Sequence, residues 1–444
     1  MLPAAYVLHA RFDRGRQLAT FVVFVPLLVF IARVAAVLSL KLPSSHCPNP
    51  LSYWVLLLTV TAYGVVNNVV FSLLPLIGTS LGLTTRQITL IGSCAALLVF
   101  LVSPWWGRKS DQWGRRTSIL IGVCGYCFSA LLLVLFFTLS QMQRISVETL
   151  YYGVFASRLL QAFLIAAMLP AITAYVIDIT SPDERAVGLS QTGAAHGVGA
   201  IVGPSLVMLA TWFLLLPLYA AVGLALLIAI LVAKYLVEPT RRESAVHHGA
   251  AYAKKLRYFD ARYRHLLLVG VVVYLGMAVS TQMMGFYLPY IIQRDALGSA
   301  TPLGIAQALM AGATVFGQLV LVQRLGWPPA RLLQSGIPMM ALGFALLAGA
   351  SGLVQLCAGV VLLGLGLGIT GPGFSAAVSL SVDSHEQGAI AGFLAACPAL
   401  GYVIGPYGAG VLYAWHPRSP FVVVALLLSL AGLALYWHSR RAKQ

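Results

Sequence analysis

Twelve apolar runs, each bounded by proline, glycine or charge, leave this chain few ways to fold. They lie at about 52–76, 86–106, 117–139, 149–178, 189–212, 214–237, 265–293, 301–323, 331–350, 353–380, 388–413 and 419–438. About 20 apolar residues cross the hydrocarbon core as a helix, and inside it every backbone polar group must find a partner within the protein, which selects helices. With 59% of its 444 residues apolar and 9% charged, the chain has more apolar surface than a soluble interior could hide. The expectation is an all-α integral membrane protein without a separate soluble domain.

Charge then sets orientation. Gly107-Arg108-Lys109-Ser110-Asp111-Gln112-Trp113-Gly114-Arg115-Arg116 is a dense polar stretch between two apolar runs. It is expected to be a tight loop at a membrane surface, with Gly107 and Gly114 permitting a sharp path and its cations marking the cytoplasmic face. Threading outward from it puts most lysines and arginines on the same side, with only Arg86, Arg144, Arg294 and Arg418 in the opposite loops. The net charge of +16 therefore reads as orientation, with a secondary affinity for anionic lipid, and not as a nucleic-acid signal. An inner (cytoplasmic) membrane and a cytoplasmic C-terminus follow as expectations.

Residues 1–50 are an N-terminal segment whose apolar run, about 18–40, is interrupted by Pro26 and Arg33. A thirteenth helix there would leave Arg11, Arg14 and Arg16 outside, so a signal-like or interfacial segment, or a start placed too far upstream, fits better. The rest divides into a six-helix bundle at 51–238, a basic cytoplasmic linker at 239–264, a second bundle at 265–438 and a basic tail at 439–444. The bundles repeat: Glu184 to Pro204 and Glu386 to Pro406 span the same interval, and an offset of 202 also maps Gly199 onto Gly401 and Pro170 onto Pro372. Two like-oriented bundles related by a pseudo-twofold axis place a substrate path between them.

The stretch 107–116 closely resembles the loop between the second and third helices of the major facilitator superfamily, and the resemblance extends over nearly the whole chain after residue 50. It implies the superfamily's fold and a cytoplasmic gate formed by Gly107, Asp111, Gly114, Arg115 and Arg116. In such a gate Asp111 would pair with arginines and with a helix end of the other bundle in the outward-open state. Arg158-Leu159-Leu160-Gln161-Ala162 is similar to the family's Arg-x-x-Gln-Gly pattern, with Ala162 where glycine is usual, and implies a proton-coupling role for Arg158. The run Gly193 to Pro204, with Gly199, Gly203 and a terminal Gly-Pro, looks like the glycine-rich fifth helix of the antiporter branch, which implies export of a drug or metabolite.

The residues carry their own arguments. An arginine about ten residues into a membrane helix should face a wet cavity or a polar partner, or snorkel outward along its stem; Asn67 and Asn68 lie at a similar depth and are its expected polar neighbours. His196 can titrate near neutrality, although a lone histidine is more often hydrogen-bonded and structural. All twelve acidic residues fall in tails, loops or helix ends, which leaves Asp111, Asp178 and His196 as titratable candidates and disfavours a strongly cationic substrate. Gln282 and Tyr287, near Pro289 and two methionines, are candidates for a substrate cavity wall, against the plainer reading of a core or lipid-facing stripe. Cys124 and Cys127 form a C-x-x-C with no second pair to complete a metal site, so no metal is expected.

The sequence thus points to a secondary transporter, a monomer whose partners are a small organic substrate, protons and membrane lipid. It has no phosphate-binding loop and no hydrolase or metalloprotease signature, so neither a cofactor nor an enzymatic activity is expected. Proton-coupled or facilitated uptake, and movement of a lipid or other amphiphile, are the alternatives on the same fold.

Overall fold

Each of the twelve apolar runs is helical in the computed structural model, and among the described residues twelve helices are long and apolar enough to cross a membrane. The structure describes residues 50–181, 184–239, 260, 262–383 and 386–441, all within the unit Pro43–Gln444. The expected N-terminal segment, most of the basic linker and the end of the tail lie outside the described residues. The helices are α1 Pro50–Ser80, α2 Thr85–Trp113, α3 Arg115–Gln141, α4 Val147–Ile165 continuing as Met168–Ile179, α5 Arg185–Leu206 and α6 Leu216–Tyr235 in the first half. The second half holds α7 Arg264–Ile292, α8 Ala296–Phe316 continuing as Val322–Leu325, α9 Pro329–Ala348, α10 Leu353–Ser379, α11 Gln387–Trp415 and α12 Ser419–Arg441.

Two expectations need correction. The stretch 107–116 is not a loop along its length: α2 stays helical through Trp113, and the turn is confined to Gly114 at φ +95°, a conformation that side chains rarely adopt. Charged residues are good helix formers, and Lys109 lies over the Trp113 ring one turn on, at 5.1 Å. Gly107 is therefore mid-helical, and a methyl group there would only touch Pro170, at 3.9 Å, so no sharp path depends on it. The run 149–178 is not one continuous helix either. It breaks at Ala166 and Ala167, because Pro170 cannot donate to the carbonyl four residues back and its ring crowds that turn.

The repeat appears as matched packing. Gly199 of α5 meets α1 so closely that an added Cβ would sit 2.2 Å from the Thr61 carbonyl oxygen, with Gly64 on the opposing surface. Gly401 of α11, 202 positions on, meets α7 in the same way, 2.6 Å from the Tyr274 carbonyl carbon. Lipid is as apolar as leucine, so small residues that admit close backbone contact are what hold such pairs.

Contacts between halves gather on the side of the membrane away from Gly114. Ser72 of α1 hydrogen-bonds Gln307 of α8, Ser93 of α2 accepts from the Tyr407 backbone at 3.0 Å, and Gly410 of α11 rests on Thr89 of α2. Nearer mid-membrane, the Phe71 and Tyr402 rings meet at 6.1 Å.

Candidate functional site

Arg158 is the one cation placed deep within a described span, and it is 4% exposed. Its carrier α4 starts at an N-cap, where Ser146 accepts from the Thr149 backbone, and runs eleven residues inward before the arginine appears. One guanidinium nitrogen donates to Gln161 Oε1 one turn along, and the group lies 5.3 Å from the Phe71 ring centroid. The side chain neither snorkels to a surface nor meets Asn67 or Asn68. Asn68 donates instead to the Gly64 carbonyl of its own helix at 2.8 Å, on the face that packs against Gly203.

Arg158 Nε is buried without a partner, while Gln161 Nε2 and Tyr126 Oη, short of full hydrogen-bond geometry, lie within interaction range of one another. Tyr63 is within electrostatic reach of Arg158, and its ring faces that of His196 at 5.5 Å. A narrow cavity runs beside the cluster and is lined by Tyr63, Tyr126, Ile165 and Met168 with residues of α6. Arg158 and His196 therefore belong to one constellation drawn from α1, α3, α4 and α5, with Phe71 as its border towards the other half.

A second cluster gathers at Gly114. Arg115 bridges Asp111 at 2.6 Å and Asp178 at 3.1 Å and donates to Ser110 Oγ at 2.9 Å. Glu238, which the sequence reading passed over, receives the Arg115 and Arg116 backbone N–H groups at 2.5 and 2.9 Å. That is a carboxylate cap on the positive end of α3. It is held in place because Tyr175 donates to the Val237 carbonyl at 2.6 Å and Val237 N–H donates to Ser52. Arg116 reaches the Ala233 carbonyl of α6 at 2.5 Å. Asp178 thus belongs here, and not with Arg158 and His196.

The sequence model described as Major Facilitator Superfamily matches residues 55–397 and 320–444. The chain belongs to that superfamily. Among its relatives, Multidrug resistance protein 1 of Bacillus subtilis (strain 168) is 26% identical over 81% of this chain and 89% of its own length. Solute carrier family 22 member 18 of Mus musculus is 27% identical over 83% of this chain and 90% of its own. Of solved structures, the human organic anion transporter MFSD10 (TETRAN) aligns at TM-score 0.61 and 21% identity, covering 88% of this chain and all of the other. The protein is thus a major facilitator transporter, a multi-pass membrane protein that takes small-molecule substrates.

The remaining candidates of this facilitator fall in the packing between helices. Gln282 is buried on α7 against Gly92 of α2, with Oε1 unpartnered; it lies at the contact between halves. Tyr287 is not a cavity wall. Its hydroxyl donates to the Leu347 carbonyl at 2.7 Å and its ring packs on Phe421 at 4.4 Å, which makes it interior packing of the second half. Gly203 abuts the Val65 carbonyl of α1, while the Pro204 carbonyl faces Gly304 of α8, so the end of the glycine-rich run touches both its own half and the other. Phe71 and Tyr126 were missed; a lone tyrosine inside the C-x-x-C of an apolar helix was the available signal for the second.

Proposed function

We propose that this transporter exports a small organic compound across the cytoplasmic membrane by proton antiport, as a monomer, with the two halves rocking about the Arg158 cluster. The Gly114 side then faces the cytoplasm, as the distribution of lysine and arginine suggests, and halves that touch on the opposite side correspond to an inward-facing arrangement. Export is favoured by the likeness to Multidrug resistance protein 1 and by the close packing of the glycine-rich α5.

The observation that carries the reading is the position of Arg158. It is a buried cation whose cover, Phe71, is also the residue that meets Tyr402 of the other half. Charge at this point and the relative position of the halves are therefore tied through one ring. His196, joined through Tyr63, supplies a titratable group, and the Asp111–Arg115–Asp178 cluster supplies ion pairs that a rocking motion can break and remake.

The test is substrate-induced proton movement in liposomes containing the purified protein, across a panel of amphiphilic compounds. Coupled flux lost in Arg158→Ala and changed in pH response in His196→Gln supports antiport through this cluster. Substrate movement in the wild type with no proton flux refutes it.

A further inference from the structure

The chemistry left over around Arg158 is one-sided. Arg158, Gln161 and Tyr126 are 4%, 2% and 4% exposed; Arg158 Nε is unpartnered, and the Gln161 amide nitrogen and the Tyr126 hydroxyl have only each other, short of full hydrogen-bond geometry. Among the described residues no carboxylate bridges Arg158. A buried cation without a counter-charge is costly, as is each buried donor left unpaired. A single anionic group would supply the missing counter-charge and accept from the guanidinium, with the neighbouring amide and hydroxyl as further donors. A cationic ligand would add to these costs.

The surroundings of the guanidinium are aromatic. Phe71 lies over it, the Tyr402 ring from the second half meets Phe71 at 6.1 Å, and Tyr63, whose ring meets that of His196 at 5.5 Å, is within electrostatic reach. These faces suit the apolar body of an amphiphile. Phe71 also separates the cation from the contact between halves, so parting of the Phe71–Tyr402 contact would open the way to it.

We propose that Arg158, Gln161 and Tyr126 form the seat for the charged group of an amphiphilic organic anion, with Phe71 as its cover. The assignment rests on the transport reading only in placing the substrate site at this cluster; it is independent of direction and of the coupling ion.

The test is equilibrium binding of naphthoate, naphthamide and naphthylmethylammonium to the purified full chain in lipid nanodiscs, with binding to empty nanodiscs subtracted. Wild type should prefer naphthoate to naphthamide by roughly tenfold or more, the scale of one charge-assisted hydrogen-bond set, and should bind the ammonium most weakly. Arg158→Gln should bring the carboxylate-to-amide ratio close to one, and Arg158→Lys should keep part of it, since a point charge replaces the planar fork. If Arg158→Gln does not fold, Gln161→Ala and Tyr126→Phe decide, each narrowing the ratio severalfold. Naphthoate bound no better than naphthamide by wild type, including no measurable binding of either, overturns the assignment. So does a ratio unchanged in the folded variants. Naphthoate that is held selectively but never carried in liposomes would leave the seat standing and refute the exporter reading instead.

Discussion

Gly199 and Gly197 lie within one turn of α5 and should respond to the same substitution in opposite ways. A Cβ at Gly199 would fall 2.2 Å from the Thr61 carbonyl oxygen and 2.8 Å from the Gly64 Cα, whereas one at Gly197 meets nothing within 4 Å. Real Cβ atoms do not approach closer than 3.0 Å, so Gly199→Ala requires α1 and α5 to separate by about 0.8 Å. The backbone on the receiving side cannot rotate away as a side chain would. Overpacking of this kind costs about 1–3 kcal/mol, while alanine for glycine in an open helical position gains roughly 1 kcal/mol of helix propensity. Thermal unfolding of the purified variants, followed by loss of the monodisperse peak, should show Gly199→Ala melting below wild type and Gly197→Ala at or above it. Gly401→Ala, its counterpart against α7, should behave like Gly199→Ala. A Gly199→Ala protein as stable as wild type would refute the argument that glycine holds the α1–α5 contact.

Other substitutions test the remaining clusters. Glu238→Gln removes the carboxylate that caps α3 and should cost about 1 kcal/mol, seen as faster amide exchange at residues 115–118 relative to the rest of α3. Tyr287→Phe should lower the melting temperature through loss of the bond to the Leu347 carbonyl, which still accepts from the Ala350 backbone, at about 0.5–1.5 kcal/mol for one lost hydrogen bond, and leave substrate affinity unchanged; a selective loss of affinity would return Tyr287 to the substrate site. Hydrogen bonds from Arg262 hold the Asp260 carboxyl below its usual value, and Arg262 also bridges Glu386 at 2.8 Å. A depressed carboxylate stabilises the fold above its unfolded value and ceases to do so as pH falls through the folded one. The melting difference between wild type and Arg262→Gln should therefore shrink on acidification from neutrality, and a constant difference would show that the ion pairs carry none of it.

The helices and their repeat were legible because length, hydropathy and punctuation are properties of a single segment. The offset that maps Gly199 onto Gly401 was visible in the chain, and both glycines do meet the corresponding partner helix. Side-chain partners were less legible, because membrane helices are apolar towards both lipid and protein, so periodicity does not show which face turns inward. Asn67 and Asn68 were matched to Arg158 on depth alone, yet Asn68 turns to its own helix and Phe71, one turn further on, covers the guanidinium. Tyr287 looked like a flexible aromatic wall, but a carbonyl of α9 was in reach of its hydroxyl. Glu238 stood at the edge of an apolar run as ordinary punctuation; only the approach of α6 to the start of α3 makes it a cap.

Liposomes containing purified protein, loaded with naphthoate and subjected to an imposed proton gradient, test the central claim most directly. The account predicts that naphthoate moves against its own gradient in exchange for protons, that a protonophore stops it, and that Arg158→Gln abolishes it while the protein remains folded. Naphthoate movement in wild type that only follows its own gradient and ignores the protonophore would contradict a proton antiporter built around Arg158.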